Sequence, residues 1–527
     1  MRELTKIVII SVAVFLYFCW PAKVTDSTNP SINSSKGLPL QCQDYTKYAT
    51  EKHAPLSRGP LELSFMRPPL ECRTFTSDVI ERVIGEFKSK MTDFDLFRVL
   101  ENTLPNTLDT TILWFRDDEV EPRTFITTGD IHAEWLRDSA RQLSVYQEFI
   151  GSDSKLKLLI KGAILQQAEY IKAAPYCNAF QPPPQSKVKR NPSSIDSVTP
   201  IPPWDVVFEC KWELDSLASF FTLLNDYIEN SKEDSILDHL LVKDAIQMIY
   251  TVLRRESAST FDEHGNQRPH PYTFKRHTDI GSETLPLSGA GNPVNINTGL
   301  VRSAFRASDD ACIYQLHIPS NMHLVTELKR LVPVLKKHEI SVMGKSLSIL
   351  LESMAQSIDD GIMKHAVFRH PDFGDVFAYE VDGFGSINIM DDANIPSLLS
   401  IPDLGYTSSS DSIYLNTRKM ILSKEGNPYY FRGAHFEGVG GPHVGLQYAW
   451  PMSLLVQIRT SEDDEEILHL LELLKETTNG AGLMHESVHI NSPNGKLYTR
   501  LWFSWCNSEF GKTILDLAKR KPWLLFN

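Results

Sequence analysis

Carboxylates, an arginine and a tryptophan stand close together in one short stretch of the chain. Asp130, Glu134, Arg137 and Asp138 surround Trp135 there. An indole can stack on the CH face of a sugar ring, while carboxylates and a guanidinium bind its hydroxyls. The group therefore indicates a carbohydrate site. A half-buried, capped helix with an internal Arg–Asp pair would carry the same residues, and this stretch alone leaves that alternative open.

Two further groups could supply an acid and a base. Asp309 and Asp310 are adjacent, and Glu486 lies between His485 and Ser487. A glycosidic bond breaks when a carboxylic acid protonates the leaving oxygen. In the inverting route a second carboxylate, roughly 6.5–9.5 Å away, deprotonates the attacking water. A neighbouring carboxylate helps to raise the pKa of the acid. Taken singly, the aspartates also fit a helix cap, and Glu486 also fits a solvated loop.

Three more carboxylates, Glu209, Glu213 and Asp215, flank Trp212. Glu209 and Glu213 share a face if the segment is helical, and their repulsion would then require Lys211, a distant arginine or a ligand hydroxyl. The dipole of a helix also favours carboxylates at its start. The group therefore fits a binding site and a plain helix start equally well.

The run Asp391, Asp392 and Asn394 has the residue types of a calcium loop. It lacks the alternating spacing and the final glutamate of such a loop. The chain also has neither a Cys-x-x-Cys pair nor a His-Glu-x-x-His helix. We therefore expect neither a metal nor another cofactor.

Helical periodicity predicts about a dozen helices that must position these residues. They are 75–91, 95–104, 131–149, 154–173, 211–230, 235–256, 322–337, 341–364, 414–422, 443–457, 463–478 and 505–518. A short irregular or β segment is expected at 114–127. Long loops follow at 176–204, 257–297, 368–392 and 479–502, and the first is a proline-rich, basic surface excursion. We predict an all-α helical toroid with long loops at one end, with an irregular helical array as the alternative.

Composition and net charge limit the classes of protein to which this chain can belong. The 527 residues are 42% hydrophobic and 23% charged, which is enough for a large buried core. The net charge of −13 and the lack of a basic stripe argue against a nucleic-acid partner. The seven cysteines are scattered, and Cys42–Cys72 is the disulfide that we expect, because both residues precede the toroid.

The N-terminus predicts a secretory-pathway protein. Residues 1–22 carry an apolar run after a charged start, which is typical of a signal peptide or an uncleaved signal anchor. Residues 23–40 form a polar, flexible linker with a glycosylation sequon at Asn33, and residues 41–527 form a single domain. We expect a monomeric glycoprotein in the ER or Golgi lumen or secreted, with a membrane anchor if the N-terminal segment is retained.

The motifs, taken together and in this order, resemble glycoside hydrolase family 125 from about residue 75 to residue 517. The resemblance rests on Thr128-Gly129-Asp130-Ile131, Trp135-Leu136-Arg137-Asp138-Ser139, Glu213-Leu214-Asp215-Ser216-Leu217, Ser308-Asp309-Asp310-Ala311, Ile318-Pro319-Ser320-Asn321, Met390-Asp391-Asp392-Ala393-Asn394-Ile395-Pro396-Ser397-Leu398-Leu399, Met484-His485-Glu486-Ser487, Thr499-Arg500 and Trp502-Phe503. It implies an (α/α)6 barrel and a metal-independent, inverting exo-α-1,6-mannosidase that acts on mannose-containing oligosaccharides. The N-terminal additions suggest a eukaryotic secretory-pathway member.

The resemblance also implies roles for individual residues. The general acid lies in the Asp309–Asp310 pair, with Asp310 preferred, and Glu486 is the general base. Arg137 and Asp138 hold the terminal mannose. Further substrate contacts are expected from Asp130, Trp135, Asp391, Asp392, Asn394 and Arg500.

This chain has Arg306-Ala307-Ser308-Asp309-Asp310 where the family is expected to have Arg-Pro-Ser-Asp-Asp. We expect this change to matter little to the chemistry. The rival functions are an inverting glycosidase of other specificity, such as an α-glucosidase, and a catalytically silent carbohydrate-binding protein. The second rival does not need both an acid and a base.

Overall fold

The computed structural model describes residues 42–526. The predicted signal segment 1–22 and linker 23–40 lie outside the described residues. The chain divides into two units, Met1–Cys42 and Gln43–Asn527. The second unit carries the helices and strands described below. No helix among residues 42–526 is both long and apolar enough to span a membrane.

Helices dominate the second unit. They are α1 (Tyr45–Tyr48), α2 (Asp78–Lys90), α3 (Phe94–Thr103), α4 (Asn106–Thr110), α5 (Leu136–Ser144), α6 (Ser154–Ala173), α7 (Leu214–Ser231), α8 (Leu240–Glu256), α9 (Pro286–Gly289), α10 (Ile318–Leu335), α11 (Leu347–His365), α12 (Ser412–Ile421), α13 (Pro451–Arg459), α14 (Asp464–Glu476) and α15 (Ser504–Arg520).

Short strands pair antiparallel between the helices. They are β1 (Ile112–Arg116), β2 (Arg123–Ile126), β3 (Glu134–Trp135), β4 (Ala179–Phe180), β5 (Ser197–Thr199), β6 (Val207–Glu209), β7 (Thr273–Lys275), β8 (Leu316–His317), β9 (Ser341–Val342), β10 (Lys345–Ser346), β11 (Val367–His370), β12 (Gly374–Phe377), β13 (Glu380–Val381), β14 (Ile387–Asn388), β15 (Tyr430–Arg432), β16 (Glu437–Val439), β17 (Tyr448–Ala449) and β18 (Val488–His489). The expectation of an all-α chain is therefore corrected to a helix-rich one. Buried loop backbone needs hydrogen-bond partners, and these ladders supply them.

The helices form two classes according to burial. Nearly every position of α7 and of the first half of α10 is buried, so both helices are covered on all sides. Helix α2 buries one stripe and exposes the rest, as an outer helix does. Helix α5 packs on α7 and α15, α7 packs on α10, and α13 packs on α15. Helices α6, α11 and α14 pack outside α7, α10 and α13 respectively.

Several predicted helix starts are misplaced by three or more residues, and two of these errors matter for the site. Helix α5 begins at Leu136 rather than at residue 131, because Gly129 has φ +142° and Trp135 pairs with Ala179 in a three-stranded ladder. Helix α13 begins at Pro451 rather than at residue 443. The intervening residues form loop and the short strand β17. By contrast, α6 spans the predicted residues 154–173 and is capped by the Asp153 side chain.

The proline-rich loop 176–204 is held down at several points. Strand β5 pairs with β7, and Gln181 Nε2 donates to the Asn191 carbonyl at 2.8 Å. Arg276 donates to both oxygens of the nearly buried Asp196, each at 2.8 Å. These contacts place the loop against the ladder that carries Trp135, because β6 follows the loop and pairs with β4.

Candidate active site

Three buried helices, α5, α13 and α15, begin at one pocket, and most of the predicted residues line it. Its walls are Thr128, Asp130, Ile131, Trp135, Arg137, Asp138, Ala307, Ser308, Asp309, Asn394, His443, Trp450, Glu486, Arg500, Phe503 and Trp505. The cavity between these walls has a volume of about 60 Å³ and opens to solvent. The first turns or N-caps of α5, α13 and α15 contribute Arg137, Trp450 and Phe503.

Arg137 joins four carboxylates beneath this pocket. Its Nη1 lies 2.6 Å from Glu213 Oε2 and 3.1 Å from Asp215 Oδ2, while Nη2 lies 3.2 Å from Asp309 Oδ1 and 3.4 Å from Asp138 Oδ2. Burial by itself would lower the pKa of the guanidinium, but these carboxylates raise it well above its usual value. Arg137 is therefore a fixed cation that sets the position of all four groups.

Several buried polar atoms in the pocket wall lack a hydrogen-bond partner within residues 42–526. They are Trp135 Nε1, Arg137 Nε, Asp138 Oδ2 and Trp450 Nε1. Burial raises the pKa of Asp138 to about 7, against the opposing effect of Arg137. Buried polar atoms normally find partners. A wall that carries unpaired donors, beside a carboxyl oxygen whose one contact is an ion pair with Arg137, therefore fits a ligand rich in hydroxyl groups.

Glu486 lies on the pocket wall and is held from two sides. Thr499 Oγ1 donates to its Oε2 at 2.7 Å, and Arg500 Nε donates to its Oε1 at 3.0 Å. Arg500 also donates to Asp130. Asp130 thus orients the arginine that orients Glu486, in addition to lining the pocket itself.

The two neighbouring aspartates point in different directions. Asp309 adopts φ +65°, lines the pocket and keeps 24% of its side chain exposed. Asp310 is 2% exposed, does not line the pocket, and its Oδ1 lies 3.7 Å from His443 Nδ1. The sequence-based preference for Asp310 as the acid is therefore not supported by the geometry, which favours Asp309. The left-handed backbone at Asp309 turns the two side chains apart.

His443 is a pocket residue that the sequence analysis missed. Burial by itself would lower the pKa of its imidazole, but Asp310, Glu486 and Asp309 raise it to about 9. The side chain is therefore a cation at neutral pH. The aromatic walls Trp450, Phe503 and Trp505 were also not assigned to the site. The sequence prediction placed both His443 and Trp450 inside a helix that starts at residue 443. For that reason neither residue was assigned to the site.

The predicted Asp391, Asp392 and Asn394 group divides in the structure. Asp391 accepts the backbone N–H groups of Leu398 and Leu399 at 2.8 and 3.0 Å, and burial raises its pKa to about 8. Asp392 Oδ1 accepts from Asn394 at 3.1 Å, and of the three residues Asn394 alone lines the pocket. Asp391 and Asp392 therefore lie behind the wall and support it, and their role as substrate contacts stays a prediction.

A disulfide that the sequence did not predict lies next to the residues that bind Glu209 and Glu213. Cys177 and Cys210 are bonded. Cys177 precedes Asn178, whose Nδ2 donates to Glu209 and to Glu213, each at 3.2 Å. Cys42 and Cys72 are each disulfide-bonded, and their pairing with one another stays a prediction. Cys312 and Cys506 are buried free thiols. Within residues 42–526, no group of three or more His, Cys, Asp or Glu side chains is placed to hold a metal ion.

Asp309 and Glu486 line one pocket beside buried donors that have no hydrogen-bond partner within residues 42–526, and two carboxyl groups in one such pocket fit the needs of a glycoside hydrolase. A comparison with known protein families identifies the family of this chain. This chain belongs to the family described as "Metal-independent alpha-mannosidase (GH125)", whose model matches residues 93–515. The protein is therefore a glycoside hydrolase of the α-mannosidase type.

Two relatives show how far the similarity extends. The Meiotically up-regulated gene 157 protein of Schizosaccharomyces pombe is 51% identical over 486 residues, which cover 92% of this chain and 94% of that protein. A solved structure from Streptococcus pneumoniae is 32% identical, covers 85% of this chain and 99% of its own, and has a TM-score of 0.75. It is described as a metal-independent alpha-mannosidase in a non-productive complex with alpha-1,6-mannobiose.

Proposed function

We propose that this protein is an inverting exo-α-1,6-mannosidase that removes terminal mannose from mannosylated glycans. Asp309 is its general acid, Glu486 is its general base, and no metal takes part. The observation that carries the proposal is that Asp309 and Glu486 line one pocket while different partners hold them. The linkage and substrate are supported by the Streptococcus pneumoniae relative, which was solved with alpha-1,6-mannobiose.

Each group has a task in the proposed reaction. Asp309 protonates the glycosidic oxygen as the C1–O bond breaks, and Glu486 removes a proton from the water that attacks C1. Arg137 and Asp138 bind hydroxyls of the terminal sugar. Arg137 Nε has no hydrogen-bond partner within residues 42–526, and Asp138 Oδ2 has only the ion pair with Arg137 Nη2 at 3.4 Å. Trp135, Trp450, Phe503 and Trp505 supply apolar faces for the ring.

We also propose that the helices close into an (α/α)6 barrel. The contact chain α10–α7–α5–α15–α13 supplies five neighbouring inner helices in cyclic order, and α6, α11 and α14 pack outside three of them. For the N-terminal segment, we propose delivery to the secretory pathway as a monomer, with residues 1–22 as signal peptide or anchor. The support is the sequence pattern.

The test follows the anomeric proton signals when purified full-length enzyme meets α-1,6-linked mannobiose with EDTA present. β-Mannose in the first minutes supports hydrolysis with inversion and without metal. Early α-mannose would mean retention, and the assignment of Glu486 as a base for water would fall. Activity that is lost in EDTA and restored by calcium would contradict the metal-free mechanism.

Variants then separate the two aspartates. Asp309→Asn and Glu486→Gln should each lower kcat about 100-fold or more while mannobiose binding, measured by calorimetry, persists. Asp310→Asn is the matched control, because its carboxyl group faces His443 behind the wall. If Asp310→Asn abolished turnover and Asp309→Asn did not, the acid would be Asp310. Wild-type binding of mannans without hydrolysis would instead support a carbohydrate-binding protein.

A further inference from the structure

A second cavity borders the active pocket, and the proposed reaction does not use it. The second cavity lies between segments 281–292 and 306–313, with Met390, Tyr429 and Pro442 on the remaining wall, and it has a volume of about 440 Å³. This volume lies in the range of small-molecule sites in proteins. Residues 307–309, from the middle of the second segment, line the active pocket. The two cavities therefore have this segment as a common wall.

The charge on the walls of the second cavity is balanced. Among the described residues that line it, Arg306 is the one charged side chain. Its Nε donates to Glu380 Oε1 at 2.6 Å, and both side chains are buried. The other oxygen of Glu380 accepts the backbone N–H groups of Ile313 and Tyr314 at 3.1 and 3.2 Å. Because the cation is already paired, the second cavity suits a neutral ligand better than an anionic one.

Polar atoms with remaining hydrogen-bonding capacity lie in the same walls. Arg306 Nη2 is buried and has no hydrogen-bond partner within residues 42–526. Thr284 Oγ1 accepts the backbone N–H of Arg276 at 3.1 Å, so its own hydrogen can be donated. Asn292 Nδ2 donates to the Ile313 carbonyl at 2.8 Å, and its amide oxygen is an acceptor. A ligand whose groups both donate and accept, as sugar hydroxyls do, matches this set.

Apolar side chains supply the rest of the walls. Tyr429 brings an aromatic ring and Met390 a flexible apolar chain. The CH face of a sugar packs well against an aromatic ring, and a few polar groups then fix its orientation. Ile313 lines the second cavity and is 50% exposed, so the cavity is open to solvent there. A sugar that belongs to a longer chain can therefore enter it from outside.

We propose that the second cavity binds a further sugar residue of the oligosaccharide whose terminal mannose enters the active pocket. The inference rests on the proposed function and deepens it, because it makes oligosaccharides longer than mannobiose the preferred substrate class. Neither Asp309 nor Glu486 lines the second cavity. A sugar bound there contributes equally to the ground state and the transition state, so its effect should appear in KM rather than in kcat.

The first experiment compares α-1,6-linked mannotetraose with α-1,6-mannobiose as substrates of the full-length enzyme. We expect the wild-type KM for the tetraose to be about tenfold lower, with a similar kcat. Ser282→Trp places an indole at the wall of the second cavity. The Ser282 carbonyl accepts the backbone N–H of Ala311 at 2.7 Å, and the substitution leaves that bond in place. In this variant the KM for the tetraose should rise to that for mannobiose, while mannobiose kinetics stay within about twofold of wild type.

A second pair of variants tests the aromatic wall without adding bulk. Tyr429→Leu removes the ring and should also abolish the preference for the tetraose. Tyr429→Phe keeps the ring and should retain it. Asp279→Trp is the control for Ser282→Trp, because Asp279 is exposed in the same loop and does not line the second cavity. It should behave as wild type. This pair also decides the question if Ser282→Trp does not fold.

Binding is followed separately from turnover in Glu486→Gln. Saturation-transfer NMR with mannotetraose shows which sugar rings contact the protein. We expect transfer to the terminal mannose and to at least one ring beyond the second. Adding Ser282→Trp should confine the transfer to the two rings at the non-reducing end.

Three results would overturn the inference. They are a wild-type enzyme with no preference for the tetraose, a preference that persists in both Ser282→Trp and Tyr429→Leu, and an equal loss on mannobiose and tetraose in those variants. Transfer limited to the two terminal rings in Glu486→Gln would contradict it as well. The proposed function is judged by turnover of mannobiose in the wild type. If that turnover were absent, the proposed function would fail, and the NMR measurement would still show whether the second cavity binds a sugar.

Discussion

Replacing Arg137 by methionine should destabilise the folded protein strongly. The guanidinium is 3% exposed and lies within 2.6–3.4 Å of the four carboxyl groups of Glu213, Asp215, Asp309 and Asp138. Methionine fills much of the volume but leaves those groups without their cation. Breaking a buried ion pair by removing one partner costs about 3–5 kcal/mol, so we expect the free energy of unfolding to fall by about that amount near neutral pH.

The loss should also depend on pH with a definite sign. Without the cation, Arg137 no longer opposes the effect of burial, so the carboxyl groups of the folded variant hold more protons than those of the folded wild type. A folded state that binds more protons than the unfolded state gains stability as the pH falls. The deficit relative to wild type should therefore shrink by up to about 1.4 kcal/mol per pH unit for each extra proton, between about pH 8 and pH 6.

The assay is urea unfolding followed by tryptophan fluorescence, for both proteins at several pH values. Arg369→Met is the control, because Arg369 is 78% exposed and pairs with an exposed Asp375 at 3.3 Å. That variant should lose less than about 1 kcal/mol at every pH. If Arg137→Met matched this control, or its deficit did not change with pH, the picture of an ionised buried cluster would be refuted.

Three further outcomes are expected. Thr499→Val should lower kcat on mannobiose about tenfold with little change in KM, because Glu486 loses one of its two hydrogen-bond donors. Thr499→Ser keeps the hydroxyl group and should keep the rate. Equal rates in both variants would refute the role of Thr499 in positioning Glu486. Asp391→Asn should lower the free energy of unfolding by about 1–3 kcal/mol while KM stays unchanged, because Asp391 accepts hydrogen bonds from backbone N–H groups. A raised KM at unchanged stability would instead show that Asp391 contacts the substrate. Replacing Cys177 and Cys210 together by serine should cost about 2–4 kcal/mol in urea unfolding, and a variant as stable as wild type would show that the bond is dispensable.

Side-chain type and local spacing were enough to nominate much of the site. Arg137, Asp138 and Glu486 could be identified because each lies in a short run whose chemistry is evident without the fold. Helix α6 could be bounded for a similar reason, since its cap and apolar stripe are both local. The start of α5 could not, because the extended Glu134–Trp135 pair depends on partners more than forty residues away, at Ala179–Phe180.

The roles of two residues, His443 and Asp391, could not be read from the sequence. His443 has no distinctive neighbours along the chain, and its charge comes from Asp310, Glu486 and Asp309, which arrive from other segments. Asp391 looked like a ligand-binding carboxylate until its backbone partners at Leu398 and Leu399 were visible. In both cases the decisive contacts are made across turns and between segments, where a linear pattern carries no information.

By itself, the sequence determined that this is a helix-rich chain with acidic, arginine and tryptophan residues grouped near helix starts, and it determined the chemistry those groups could perform. Only the tertiary structure decided which carboxyl group meets the pocket. Asp309 and Asp310 are identical in type and adjacent in order, so no pattern separates them. The left-handed backbone at Asp309, with the long-range cations Arg137, Lys211 and His443, turns one toward the pocket and buries the other. A side chain's direction and charge state depend on what surrounds it in space, and those surroundings come from parts of the chain far away in sequence.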